Sequence, residues 1–165
     1  MNNVILTGMP TSGKSTVGVI LAKVLGKAFL DTDLLIQARE GRLLSEIIAE
    51  RGTEGFLECE ENALLSADVN DTVIATGGSA VYSERGMEHL RSGGTVVYLK
   101  VDWDELCCRL HDVKQRGVVL RKGESIKDMF DTRSALYEKY ADIVISENNM
   151  TIEETVNSVL HELDN

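Results

Sequence analysis

Nine consecutive residues, Gly8-Met9-Pro10-Thr11-Ser12-Gly13-Lys14-Ser15-Thr16, fit the spacing G-x-x-x-x-G-K-[ST]. That spacing suits phosphate chemistry. Val4-Ile5-Leu6 reads as a buried strand before the loop, and Lys14 to Leu25 as a helix after it. A helix start leaves backbone N–H groups without intrahelical partners, aimed at whatever occupies the loop. The helix dipole adds positive potential there. Lys14 is long enough to reach β- and γ-phosphates, and the Ser15 hydroxyl is a ligand for Mg2+. Gly8, Pro10, Thr11, Ser12, Gly13, Lys14, Ser15 and Thr16 are therefore the expected nucleotide-binding residues.

Two more polar clusters follow strand-like runs. Ala28-Phe29-Leu30 runs into Asp31-Thr32-Asp33, and Asp71 to Ala75 runs into Thr76-Gly77-Gly78-Ser79. Mg2+ takes few protein ligands and keeps its waters, so one aspartate near Ser15 is enough for it. The other is free to accept hydrogen bonds from substrate hydroxyls. A plainer alternative makes Asp33 the N-cap of the next helix. Gly77 and Gly78 allow a ligand close to the backbone, although an ordinary strand-to-helix turn also uses glycine. Arg116, Arg121, Lys122 and Arg133 gather positive charge late in the chain. Phosphoryl transfer depends on positioning and charge neutralisation, which an arginine on a closing loop supplies. The alternative for the loop arginines is a solvated surface loop.

The elements that must position these groups alternate. Helical stretches are expected at 33–40, 45–51, 53–67, 83–92, 102–114, 125–140 and 151–163, and further strands at 95–99 and 143–146. Residues 115–123 read as a polar, basic, glycine-containing loop. Near-continuous apolar strands alternating with helices predict a parallel sheet covered on both faces. In such sheets ligands bind at the carboxyl ends of the strands. The three polar clusters should therefore meet in one pocket.

Composition bounds the rest. A chain of 165 residues, 43% hydrophobic, suits one domain over residues 1–165. A formal net charge of −10 opposes nucleic-acid binding. No apolar run approaches the roughly 18 residues of a membrane span, and Met1-Asn2-Asn3 enters a strand without a basic leader. Cys59, Cys107 and Cys108 are an odd count without C-x-x-C spacing. They read as reduced thiols in a cytoplasmic setting, with Cys107 and Cys108 packing on their helix.

Taken in order, the motifs resemble the shikimate kinase family. They are Gly8 to Thr16, Phe29-Leu30-Asp31-Thr32-Asp33, Gly55-Phe56, Ala75-Thr76-Gly77-Gly78, Arg116, Arg133-x-x-x-Tyr137 and Ala141-Asp142. The resemblance implies an α/β fold: a three-layer α/β/α P-loop NTPase fold with a five-stranded parallel sheet, substrate-binding helices within 33–67 and a short lid at 115–124. It implies transfer of the ATP γ-phosphate to the 3-hydroxyl of shikimate, with ATP and Mg2+ as cofactors; a monomer is the expected state. Carried over, Lys14 and the loop hold ATP, Ser15 and Asp31 serve the metal, and Asp33 binds the substrate hydroxyls and takes the proton. Gly77, Gly78 and Ser79 line the substrate pocket, Arg116 is the lid arginine, Arg133 pairs with the substrate carboxylate, and Arg109 stacks on adenine.

Three positions depart from the family pattern. Leu57 stands where an arginine helps clamp the carboxylate, Ser79 where a third glycine is usual, and Gly117 where a proline follows the lid arginine. Arg39, Arg42 and Arg51 are candidates to replace the missing arginine. A kinase for another small hydroxylated metabolite, or a nucleotide-binding module without transfer, are the alternatives to a kinase of shikimate.

Overall fold

The structure is a computed structural model that describes residues 3–110 and 118–164. Five strands form one parallel sheet in the order β2-β3-β1-β4-β5. They are β1 (Asn3–Gly8), β2 (Ala28–Asp31), β3 (Thr72–Ala75), β4 (Gly94–Lys100) and β5 (Ile143–Ser146). The helices among the described residues are α1 (Lys14–Leu25), α2 (Thr32–Glu40), α3 (Leu44–Leu65), α4 (Glu84–Gly93), α5 (Trp103–Arg109), α6 (Ile126–Tyr140) and α7 (Ile152–Leu163).

The period of two along each strand divides the core between the sheet faces. Ile5, Ile74, Val96 and Tyr98 point to one face, where they pack with Leu64, Met87, Leu90, Met129 and Tyr137. Val4, Leu6, Val73, Val97 and Leu99 point to the other, against Val17 and Leu21 of α1 and Val156 and Val159 of α7. The central strands β3, β1 and β4 are buried on both faces, which explains their continuous apolar character and gives the expected three layers, while the edge strand β5 leaves Val144 and Ser146 exposed.

A third apolar cluster ties α2 to α3 through Ile36, Ile47, Phe56, Cys59 and Ala63, with Val119 added from the segment before α6. The α3 segment is two helices meeting at Gly52, whose φ of 69° and ψ of −177° break the helical path. The separate stretches expected at 45–51 and 53–67 are this pair. Asp71, expected to open a strand, instead has a φ of 54°, and β3 begins at Thr72. α5 is described as far as Arg109, so the part of the expected helix at 111–114 lies outside the described residues, as does part of the 115–124 lid. Cys107 and Cys108 do not pack: both are exposed, because the apolar anchor of this short helix is Leu106.

The carboxyl ends of β2, β3 and β1 are neighbours. They deliver the Asp31, Thr76 and Gly8 clusters to one edge of the sheet.

Candidate active site

β1 ends at Gly8, where a Cβ would lie 2.6 Å from the carbonyl oxygen of Leu99 on β4. Only glycine lets the loop leave the sheet this tightly. Gly13 then turns the chain into α1 through a left-handed φ of 76°. Thr11 also has a left-handed φ, of 75°, which a β-branched residue adopts at a cost.

The Lys14 ammonium lies inside this loop. Its Nζ donates to the carbonyl oxygens of Gly8 at 2.8 Å and Met9 at 2.7 Å, and to the Ser12 hydroxyl at 3.3 Å. Burial pulls its pKa down to about 8, against the opposing charges of Asp33 and Glu147. The cation is thus held in the loop and remains mostly charged at neutral pH.

Ser15 and Asp31 meet directly. The serine hydroxyl donates to Asp31 Oδ2 at 2.6 Å, while Asp31 Oδ1 accepts from the backbone N–H of Asp33 at 2.9 Å and of Leu34 at 3.4 Å. Asp31 is therefore the N-cap of α2. The capping role considered for Asp33 falls two residues earlier, on Asp31, because the strand ends at Asp31 and the helix starts at Thr32. With the cap filled, the Asp33 carboxylate faces the pocket that Lys14, Gly77, Gly78 and Arg133 also line. A hydroxyl and a carboxylate, two hard oxygen donors beside a phosphate-binding loop, fit Mg2+ completed by water and phosphate oxygens. No group of three or more acidic, histidine or cysteine side chains suited to a metal occurs among the described residues.

Gly77 and Gly78 are close-approach glycines. A Cβ on Gly77 would lie 2.4 Å from Glu60 Oε1 and 2.7 Å from Asp33 Oδ1. One on Gly78 would lie 2.9 Å from Pro10 Cδ and 3.1 Å from Arg133 Nη1. The Gly77 N–H donates to the Thr32 hydroxyl at 3.1 Å, and the Gly78 carbonyl accepts from the Tyr137 hydroxyl at 2.6 Å. Burial pushes the Asp33 carboxyl up to about 6, with the neighbouring Asp31 charge adding to the rise and Lys14 opposing it. A carboxylate so tuned is mostly ionised at pH 7 yet basic enough to accept a proton.

Arg133 is 1% exposed. It donates to the carbonyl of Val119 through Nη2 and to the Tyr82 hydroxyl through Nε at 3.3 Å. Arg109 flanks the loop on the other side: Nε pairs with Glu105 at 2.7 Å and Nη1 donates to the Thr11 carbonyl at 3.2 Å. Thr16 is exposed on the first turn of α1.

Arg39, Arg42 and Arg51 do not replace the missing arginine. Arg39 donates to the Asn62 carbonyl, Arg42 pairs with Glu50, and Arg51 holds Glu40 and Cys59; none lines the pocket. Arg116 and Gly117 lie outside the described residues.

Sequence reasoning missed two buried acids. Glu60, 1% exposed, accepts from Ser79 and leaves Oε1 unpaired. The signal was its spacing: Phe56, Cys59, Glu60, Ala63 and Leu64 form the buried stripe of α3, so a glutamate stands among apolar positions. Glu147, just past the carboxyl end of β5, has Oε2 3.9 Å from Arg109 Nη1. Burial pushes both acids up to about 7. The expected polar loop also hid an apolar turn, since Val118 and Val119 line the pocket.

A family model described as Shikimate kinase matches residues 10–164. The chain belongs to the shikimate kinase family. It is an ATP-dependent kinase. A protein named Shikimate kinase from Parabacteroides distasonis is 38% identical over 170 residues, covering 99% of this chain and 98% of the relative. The structure of shikimate kinase from Acinetobacter baumannii in complex with shikimate superposes with a TM-score of 0.90 at 29% identity, covering 99% of this chain and 93% of that one. The crystal structure of shikimate kinase from Aquifex aeolicus gives 0.86 at 32% identity, covering 98% and 96%. The P-loop kinase fold is that of these relatives.

Proposed function

We propose that this member of the family transfers the γ-phosphate of ATP to the 3-hydroxyl of shikimate, with Asp33 as proton acceptor and Arg133 as carboxylate partner. The observation that carries this reading is one pocket shared by Asp33, Lys14, Gly77, Gly78 and Arg133. It offers a base for a hydroxyl, a cation for a transferring phosphate, and a guanidinium for an acid.

Gly8, Pro10, Thr11, Ser12, Gly13 and Thr16 cradle the phosphates through the loop and the start of α1. ATP supplies the phosphoryl group, and a bound Mg2+ would supply charge neutralisation at its phosphates. Ser15 and Asp31 are the residues suited to hold the metal. Lys14 exchanges its bonds to the loop oxygens for bonds to phosphate oxygens, where its charge counts most in the transition state. Asp33 accepts the proton of the attacking hydroxyl as the new oxygen–phosphorus bond forms. Gly77, Gly78 and Ser79 bring the backbone against the substrate ring. Arg133, pre-positioned by Val119 and Tyr82, meets the carboxylate in a geometry only a guanidinium provides. Arg109 borders the adenine side, and Arg116, by resemblance to the family, is assigned to the phosphates. No described helix is long and apolar enough to cross a membrane. Free thiols and the use of ATP support a cytoplasmic setting.

Incubation with Mg-ATP and shikimate, followed by phosphorus and proton magnetic resonance of the product, tests this reading. The expected product carries phosphate on the 3-hydroxyl. Phosphate on another position, or none, contradicts it.

A further inference from the structure

Tyr82 carries two guanidinium groups. Arg121 stacks over its ring with Cζ 4.2 Å from the centroid, and Arg133 has its Cζ 5.2 Å from the same centroid. Two like charges on one ring repel, and an anion bridging them turns that cost into attraction.

The two arginines differ in what they already hold. Arg133 has its Nε on the Tyr82 hydroxyl and its Nη2 on Val119. Arg121 makes no side-chain hydrogen bond or ion pair among the described residues; only its backbone bonds, the N–H donating to Glu124 Oε2 at 2.9 Å and the carbonyl accepting from the Glu124 N–H at 3.0 Å. A guanidinium has five N–H donors. Here all of them are available on a side chain held in place by stacking.

The hollow under Arg121 is lined by Leu57, Glu60, Ser79 and Tyr82, with Glu54, Glu58, Glu61 and Ser83 around it, and it adjoins the main pocket through Ser79. Two of those acids are engaged: Glu60 accepts from Ser79, and Glu61 accepts from Ser83 and Arg85. Leu57 contributes no charge.

We propose that Arg121 determines specificity for the acid group: stacked on Tyr82, it supplies with Arg133 the second guanidinium that receives the substrate carboxylate. This rests on the reading of shikimate as substrate. The carboxylate is then held by one arginine from α6 and one from the segment that precedes it.

Steady-state kinetics of the full chain, Arg121→Ala and Arg121→Lys tests it, with shikimate and with its methyl ester. Arg121→Ala should raise KM for shikimate about tenfold or more, with kcat and KM for ATP within about twofold. The ester, lacking the charge, should show little change. Arg121→Lys should recover only part of the loss, because an ammonium lacks the planar fork. Leu57→Arg in the Arg121→Ala background should lower KM again. An unchanged KM in Arg121→Ala, including one accompanied by a fall in Tm that marks a structural pair with Glu54 or Glu58, overturns the proposal. So does an equal loss on acid and ester. A wild-type chain inactive on shikimate overturns the functional reading itself, a result seen before any variant is compared.

Discussion

The Ser79 hydroxyl donates a 2.5 Å hydrogen bond to Glu60 Oε2, while Glu60 Oε1 has no hydrogen-bond partner and lies against Gly77. A serine where the family carries glycine thus does more than add bulk to a pocket wall. Among the described residues it supplies the one hydrogen bond to a buried acid beside the substrate site.

Replacing Ser79 by alanine should leave Glu60 with neither oxygen satisfied. The cost expected is about 1–3 kcal/mol. Chemical unfolding at pH 8 checks it, and equal stability to the wild type at that pH would show that the bond contributes nothing.

Glu60→Gln should change stability in a pH-dependent way. Burial raises the Glu60 pKa from 4.5 to about 7, so the native state binds this proton more tightly than the unfolded chain does. Its contribution to stability is therefore fully present below about pH 4.5 and is lost as pH rises through about 7. Glutamine carries no charge at either pH. The variant should match the wild type near pH 5 and exceed it near pH 8, by on the order of 2–3 kcal/mol at most. A difference independent of pH would mean that Glu60 is not forced to ionise in the fold.

Activity should follow a bell. Asp33, raised to about 6, must be ionised to accept the proton, so kcat/KM should fall as pH drops through about 6. Lys14, lowered to about 8, must be charged to meet phosphate, so kcat/KM for ATP should fall as pH rises through about 8. Bound phosphates favour the ammonium and should move the alkaline limb of kcat upward. An acid limb near 4 would leave Asp33 unperturbed and place the base elsewhere.

Asp33→Asn should lower kcat by about 10²–10⁴ with ATP binding intact. Retention of ATP binding, read by fluorescence titration, separates loss of the base from loss of the loop. Activity within tenfold of wild type would remove Asp33 from the proton transfer.

Gly77→Ala should be far more damaging than its size suggests. The added Cβ would stand 2.4 Å from Glu60 Oε1 and 2.7 Å from Asp33 Oδ1, so the base itself must shift. A loss of kcat of about 10²-fold is expected from displacement on the scale of 1 Å. An alanine variant with normal kcat would mean that Asp33 is not held against this backbone.

Much of the fold and half of the site could be read along the chain because local signals and tertiary role coincide there. Lys14 and Ser15 lie in a spacing whose backbone geometry is nearly fixed, and Asp31, Asp33 and Gly77 follow apolar strands whose ends must meet in a parallel sheet. The break at Gly52 was visible as a glycine between two helical patterns. Arg121 was visible as charge but not as a site, since its stacking on Tyr82 joins positions far apart in sequence. Which of Asp31 and Asp33 caps α2 depended on where the strand ends, a difference of two residues that composition does not specify. Glu60 was hidden among Glu58 and Glu61, where only the helical period distinguishes a buried acid from solvated ones.

The most direct test of the whole account is a coupled ADP-release assay of the full chain and Lys14→Ala with Mg-ATP, comparing shikimate with quinate, gluconate and homoserine. The account predicts turnover on shikimate well above the other alcohols, abolished in a folded Lys14→Ala. Turnover that prefers another alcohol, or that survives the loss of Lys14, would contradict it.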